Sequence, residues 1–191
     1  SLVGSEMCIR DRIMKGDIAE AKLFNPDFII ANMHWGLEYE RIPSREQREL
    51  ADWLMRQGVD LVIGSHPHVV QPMELRRGKE GVPDRLVVYS LGNFISNMSR
   101  EHTDGGVMVK VVLGRKGLRR YIASAQYSLI YSSRYKNEQG KEDIRVVPAA
   151  SWSGKNQNSS FSVDSALIKY VNNTRLFLKG NNKEVEEYIF E

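Results

Sequence analysis

The chain has 191 residues and 41% hydrophobic content, enough for one core-forming domain with an appendage. Lysine and arginine total 27 against 24 acidic residues, and this small, interspersed excess gives no support for nucleic-acid binding. The single cysteine, Cys8, excludes an internal disulfide and a thiolate zinc site, so any metal must be held by histidine, carboxylate, amide or water.

The N-terminal region does not show the pattern of a secretory signal. Residues 1–12 resemble translated sequencing-adaptor sequence, and we expect them to be an artefact outside the fold. The segment lacks the basic and apolar pattern of a secretory signal, and no run in the chain approaches the ~20 apolar residues that cross a bilayer. Gly16 and Asp17 are predicted to lie in a loop before Pro26, because no apolar strand precedes them.

A strand, a helix and a second strand follow in order. Residues 28–33 form a nearly continuous apolar run, which is typical of a strand covered on both faces. Ser44 is a good N-cap with a glutamine three residues later, and Gly58 is placed to end the helix. Residues 59–63 are again strand-like. The pattern predicts a βαβ unit with two parallel strands.

Three of the four histidines follow these two strands: His34, His66 and His68. Parallel strands joined by a crossover end at the same edge of their sheet, so we expect the three side chains to lie together. Residue 66 precedes a proline and is expected to be extended, which would point residues 66 and 68 to one face. The arrangement favours ligation of one or two metal ions. The alternative is a structural role as hydrogen-bonding turn residues.

Two further residues are candidates for the same site. A strand over 85–91 ends before Asn93, which joins the cluster if that strand pairs with the sheet, as a ligand, a substrate contact or a turn residue. Glu38 is the nearest carboxylate in the sequence, and either orients a ligand and moves a proton or is a solvated loop charge. Tyr39 is predicted to be a wall or packing residue, with stacking on a substrate as the alternative, and His102 an exposed loop residue.

The second half of the chain is predicted to be rich in strands. Residues 106–113 alternate toward a turn at 114–117, and a returning strand begins at Leu118. Two further strands, 127–135 and 143–147, flank a polar turn. These segments predict two hairpins.

The remaining segment, 149–191, is predicted to be a loop followed by a helical tail. Residues 149–162 are rich in serine and asparagine, and Asp164 is a helix N-cap. The residues expected to dock the helix on the body are Leu167, Ile168, Val171 and Leu178.

Three ordered motifs, residues 34–39, 64–72 and 89–94, resemble the bacterial capsule-synthesis CapA family, also called poly-γ-glutamate capsule (PGA_cap) proteins. The resemblance implies an α/β (α+β) fold of the calcineurin-like metallophosphatase type, a β-sandwich flanked by helices. Residues 13–148 would be the C-terminal part of that domain, with a β-rich extension.

The resemblance also implies a chemistry. His34 matches the isolated histidine motif of such enzymes, and His66 and His68 match the final His-x-His motif. The complete domain would hold two divalent ions, of manganese, iron or zinc, that activate a water for attack on a phosphoryl-type substrate. Glu38 and Asn93 would be catalytic. The family's earlier motifs have no counterpart here, so the fragment alone is expected to be inactive.

The implied partners are an anionic polymer or phosphoester substrate, and other capsule synthesis or export proteins, in a protein associated with the cell envelope. An alternative function is a non-catalytic, polymer-binding or assembly component of a capsule export complex.

Overall fold

The structure, a computed structural model, describes residues 2–79, 84–150 and 165–189, with side chains described from residue 12 onward. Within these residues lie three helices and eight strands. The elements are α1 (Leu2–Leu23), β1 (Ile30–His34), α2 (Arg45–Arg56), β2 (Leu61–Ser65), β3 (Met73–Arg76), β4 (Arg85–Val88), β5 (Gly105–Lys116), β6 (Arg119–Lys136), β7 (Glu142–Pro148), α3 (Ser165–Asn181) and β8 (Glu186–Glu187). None of the described helices combines the length and apolar composition that a membrane crossing requires.

The first sheet has the strand order β1-β2-β4-β3. Strands β1, β2 and β4 run parallel, and β3 is antiparallel to β4. In the register of β1 and β2, Ile30 lies opposite Leu61 and His34 opposite Ser65. The predicted βαβ unit is confirmed, and so is the prediction that the strand before Asn93 joins the same sheet.

The second sheet is antiparallel in the order β5-β6-β7, with β8 pairing parallel to β6. The β5–β6 turn is at Gly117 and Leu118, since Lys116 pairs with Arg119. The predicted turn at 114–117 was therefore placed too early. Gly114 pairs with Tyr121 inside the hairpin, whereas Gly117 has the φ of +62° that a tight turn favours.

The two sheets pack face to face around one apolar core. Leu61, Leu86 and Val88 of the first sheet lie in a cluster with Ile122 and Leu129 of the second, and all five are buried. Alternate residues of each strand face this layer, as the pleat requires. The fold is thus a mixed α+β fold with two packed sheets. The strands predicted as an extension supply the second sheet.

The opposite face of the first sheet packs against helices. Val62 and Val87 form a cluster with Leu54 of α2 and Ile18 of α1. The predicted loop at Gly16 is wrong, because this residue lies inside α1. The prediction that β1 is covered on both faces is also wrong: β1 is an edge strand, and Ile30 is 52% exposed.

Helix α2 begins and ends as predicted. Ser44 is the N-cap, its hydroxyl accepts a hydrogen bond from the Gln47 N–H, and the Gln47 side chain accepts from the Ser44 N–H. This capping box satisfies two donors at the helix start. Gly58 follows the helix with φ of +100°, in the left-handed conformation that ends helices.

The tail contacts both sheets. Leu167, Val171 and Leu178 of α3 are buried in the core, whereas Ile168 is 39% exposed and does not dock as predicted. After α3, the Lys183 N–H donates to Met73 of β3, and β8 then pairs with β6. Ala149 and Ala150 are buried; the rest of the predicted 149–162 loop and the predicted cap at Asp164 lie outside the described residues.

Candidate functional site

Three loops leave the same edge of the first sheet, at the carboxyl ends of its parallel strands. His34 ends β1, His66 directly follows β2, and Asn93 lies in the segment after β4. The register that pairs His34 with Ser65 places the two histidines side by side. The convergence predicted from the strand pattern is therefore present in the structure.

His34 and His66 form the closest pair of the cluster. Their ring centroids are 4.5 Å apart with the planes at 49°, and the ring of His66 lies 6.2 Å from that of His68. Two imidazoles bound to one ion through bonds of about 2.1 Å have centroids roughly 4.5–5.5 Å apart. The spacing of His34 and His66 thus fits a shared ion, and His68 lies beside them.

The loop that carries His66 and His68 has a strained backbone. His66 has φ of +103° and His68 has φ of +60°, so the predicted extended geometry of residue 66 is wrong. Non-glycine residues rarely adopt this region, and such conformations concentrate at functional sites. The loop is held by the Tyr39 N–H, which donates to the Pro67 carbonyl at 2.7 Å. The rings are positioned by this turn and not by the alternation of a strand.

Asn93 contacts His68 directly. Its Oδ1 lies 2.9 Å from Nδ1 of His68, and its Nδ2 donates to the carbonyl of Thr103 at 3.0 Å. Because the amide NH₂ faces a carbonyl, the oxygen must face the ring, and Nδ1 of His68 is then the protonated nitrogen. Nε2 of His68 is left with its lone pair available to a ligand. The geometry makes Asn93 an orienting partner of a histidine.

Close packing under the site depends on Gly64. The indole N–H of Trp35 donates to the Tyr89 carbonyl at 2.8 Å, across the position of Gly64 between them. A Cβ on residue 64 would overlap both the Tyr89 carbonyl oxygen and the Trp35 indole nitrogen. The absence of a side chain therefore lets β1, β2 and β4 end close together.

Buried amides support the loop after β1. Nε2 of Gln47 donates to Oε1 of Gln71 at 2.8 Å, and Nε2 of Gln71 donates to the Glu40 carbonyl at 2.8 Å. Both glutamine side chains are almost fully buried. These bonds tie the start of α2 to the loop that carries Tyr39, and the sequence pattern did not indicate them.

Tyr39 is a platform residue next to the cluster. Its ring stacks with that of His68 at a centroid distance of 6.2 Å and an angle of 28°. The guanidinium carbon of Arg100 lies 4.0 Å from the centre of the same ring, in a cation–π contact. Tyr39 was predicted to be a wall or packing residue, whereas Arg100 was not identified from the sequence.

The remaining predicted residues are placed differently. Glu38 is exposed in the turn before Tyr39, and no hydrogen bond or ion pair within the described part of the chain joins it to the three histidines. His102 was predicted to be exposed but is half-buried with φ of +68°. Burial, reinforced by the nearby charge of Arg41, lowers the pKa of His102.

A cleft of about 590 Å³ opens beside His68 and Asn93. Its other walls are residues 95–98 and the start of β7, where Glu142 and Asp143 contribute carboxylates. The sequence pattern gave no reason to bring β7 to this edge, because it did not indicate that β6 is one continuous strand of 18 residues. The cleft gives His68 and Asn93 access to a ligand of moderate size.

The donors fit a metal site in part. His34 and His66 have the spacing of ligands to one ion, and His68 presents Nε2. Among the residues with described side chains, no group of three His, Cys, Asp or Glu is arranged to hold a metal ion. The described chain thus supplies part of a ligand set, and further ligands would have to come from elsewhere.

Part of the chain is similar to known proteins. Residues 5–98 match the sequence profile of the family described as bacterial capsule synthesis protein PGA_cap. The PGA biosynthesis protein CapA of Bacillus subtilis (strain 168) is 35% identical over 104 residues, which are 54% of this chain and 26% of that protein. The capsule biosynthesis protein CapA of Bacillus anthracis is 35% identical over 98 residues, which are 51% of this chain and 22% of that protein.

The fold and site define a class: a two-sheet α+β domain with a histidine cluster at the carboxyl ends of parallel strands. The match covers all three of the strands concerned, and residues 5–98, about half of the chain, carry the sequence profile of the PGA_cap family of capsule synthesis proteins. The chain spans about a quarter of the length of the curated relatives that it matches. The match begins at residue 5, and the assignment of residues 1–12 to adaptor sequence stays a prediction.

Proposed function

We propose that the histidine cluster binds divalent metal ions and that the complete domain uses them for hydrolysis of a phosphoryl-type bond during synthesis of a capsular polymer. The observation that carries the proposal is the 4.5 Å spacing of the His34 and His66 rings at the carboxyl edge of the sheet. Manganese, iron and zinc are the ions that suit imidazole and oxygen ligands. Bound there, a divalent ion supplies Lewis-acid chemistry.

The protein's own residues have distinct parts in this proposal. His34 and His66 would hold one ion through their ring nitrogens. His68 offers Nε2 to a neighbouring position, because Asn93 accepts the proton on Nδ1 and fixes the ring. Glu38 is exposed on the adjacent turn, where it can exchange a proton with solvent. The cleft beside His68 gives the substrate a path to the cluster.

The experiment is a titration of the metal-free chain with Mn²⁺ and with Zn²⁺, compared with three variants. His34→Gln and His66→Gln remove one ligand each, and His102→Gln removes the histidine outside the cluster as a matched control. We expect the first two variants to bind at least about tenfold more weakly. Equal affinity in all four folded proteins would refute the metal site.

A second measurement separates catalysis from binding. A full-length family member that carries these residues is assayed for hydrolysis of a phosphodiester probe and for binding of poly-γ-glutamate. Metal-dependent turnover that is lost in the His66→Gln variant supports the hydrolase. Polymer binding without turnover would overturn catalysis and favour a non-catalytic binding or assembly component in a capsule export complex, with other synthesis or export proteins as its partners.

A further inference from the structure

We infer that Arg100 is an anion-binding residue that selects substrates with a carboxylate or phosphate group next to the histidine cluster. The inference deepens the proposed function, because it assumes that the cluster is where the substrate reacts. Arg100 lies beyond the segment that matches the family profile, which ends at residue 98.

The guanidinium of Arg100 is held over the face of the Tyr39 ring. Its carbon lies 4.0 Å from the ring centre, and this cation–π contact does not use the N–H donors for hydrogen bonds. Among the described residues, no hydrogen bond or ion pair uses these donors. The side chain is therefore positioned without consuming the groups that bind a carboxylate or phosphate in a bidentate manner.

The backbone of Arg100 is anchored to the site. Both the N–H and the hydroxyl of Thr103 donate to the Arg100 carbonyl, at 3.1 and 2.6 Å. The carbonyl of Thr103 accepts from Asn93, and Asn93 contacts His68. Thr103 is fully buried. One network thus fixes both His68 and the turn that carries Arg100, which lowers the entropy cost of binding an anion there.

Neighbouring charged residues leave Arg100 available to an anion. Glu101, the adjacent carboxylate, pairs with Lys169 at 3.3 Å. Arg134, another basic residue near this loop, has its guanidinium bound to the carbonyls of Asn97 and Met98. The Tyr39 ring contacts both the Arg100 guanidinium and the His68 ring. An anion bound to Arg100 is therefore separated from the histidine cluster by one aromatic ring.

The test uses the chain labelled with ¹⁵N-arginine and kept metal-free with a chelator. The Nε–Hε signal of Arg100 is followed while inorganic phosphate, and separately acetate, is added at constant ionic strength. Arg45 is the internal control, since it is an exposed arginine paired with Glu49 at 2.6 Å on the surface of α2. We expect a saturable shift at Arg100, with binding at least about tenfold tighter than at Arg45.

Two variants test the roles of the Tyr39 ring and of the planar guanidinium donors of Arg100. Tyr39→Asn removes the ring but tolerates the φ of +68° at that position, because asparagine adopts the left-handed region readily. Arg100→Lys keeps the charge and loses the planar donors. Because Arg100→Lys has no arginine signal at residue 100, the phosphate affinity of the variants is measured by calorimetry. We expect both variants to bind phosphate about tenfold more weakly while Arg45→Gln binds as the original chain does.

The responses to phosphate and to acetate distinguish a phosphoester ligand from a carboxylate polymer. Saturation by phosphate alone supports a phosphoester, and saturation by acetate as well supports a carboxylate polymer. A shift at Arg100 no larger than that at Arg45 with either anion overturns the inference. The measurement contains no metal, so failure of metal binding at the histidines leaves its result unaffected.

Discussion

Oδ1 of Asn93 lies 2.9 Å from Nδ1 of His68, and the other end of the same amide is bound to the Thr103 carbonyl. Because the amide cannot turn over without losing the second bond, it selects one tautomer of the imidazole. An asparagine after a strand end thus has a consequence for the chemistry of a histidine 25 residues earlier in the chain.

We predict that Asn93→Ala releases the His68 ring. The fraction of His68 protonated on Nδ1 in the neutral ring should fall, because nothing else described accepts that proton. The imidazole ¹⁵N shifts of His68 report the tautomer directly, and metal affinity should drop by about 10–100-fold. Asn97→Ala is the control, since Asn97 lines the same cleft and only its backbone carbonyl is used. If the imidazole ¹⁵N shifts of His68 are the same in Asn93→Ala as in the original chain, Asn93 does not select the tautomer of His68.

Gly64→Ala should destabilise the domain severely. The added methyl group overlaps the Tyr89 carbonyl and the Trp35 indole, so the strands must separate and the hydrogen bond between them is lost. We expect a loss of about 3 kcal/mol or more in the free energy of unfolding, measured by denaturant titration.

The matched control for that substitution is Gly180→Ala. Gly180 lies in α3 with no atom near the position of a new Cβ, and alanine is the better helix former. This variant should be as stable as the original chain or slightly more stable. If both variants unfold at the same denaturant concentration, the close packing at Gly64 is not what the structure indicates.

Asp84→Asn should lower stability at neutral pH and matter less in acid. Burial alone raises the pKa of the Asp84 carboxyl, but hydrogen bonds from the Gly78 and Ile122 N–H groups and the charge of Arg77 outweigh it, and the pKa is lowered. A lowered folded pKa stabilises the fold above the ordinary carboxyl value near 4, and this contribution is lost as the pH falls through the folded value.

We expect Asp84→Asn to lower the free energy of unfolding by about 1–3 kcal/mol at pH 7. The difference from the original chain should shrink as the pH falls below about 4, and denaturation over a pH series measures it. Asp27→Asn is the control, because the exposed pair of Asp27 with Arg115 should contribute less than about 1 kcal/mol at any pH. A constant difference across the series would show that the charge of Asp84 is not responsible.

Gln71→Met should loosen the loop before α2. The substitution conserves volume but leaves the Glu40 carbonyl and the Gln47 amide without their partner, at a cost of about 1–3 kcal/mol. Amide hydrogen exchange at residues 37–41 should be faster in Gln71→Met than in the original chain. Protection there equal to that of the original chain would mean that the Tyr39 N–H bond to Pro67 holds the loop by itself.

The arrangement of the site could be predicted where it depends on local patterns. Apolar runs before His34 and residue 64, joined by a well-capped helix, indicate parallel strands, and parallel strands end at one edge. The rule for residues before proline failed at His66, because the hydrogen bond from Tyr39 to Pro67 and the packing of the turn outweigh a local preference.

Contacts between distant segments could not be predicted in this way. Arg100 reaches Tyr39 from the loop before β5, and Glu142 reaches the cleft from the far end of a long hairpin. Both depend on how the second sheet lies on the first. The alternation of apolar and polar residues in β5 and β6 identifies which face of the sheet packs on the core. It does not identify which position along the strands lies next to the histidines.

The segment after α3 joins β3 of one sheet to β6 of the other, and this has a consequence during synthesis. Residues 182–188 are translated after every other described strand, and until they leave the ribosome the Met73 carbonyl and the Leu75 N–H of β3 lack their partners on residue 183. The sheet edge would be open to other chains for that interval. A nascent chain stalled before residue 182 should therefore depend on chaperones more than the 191-residue chain does.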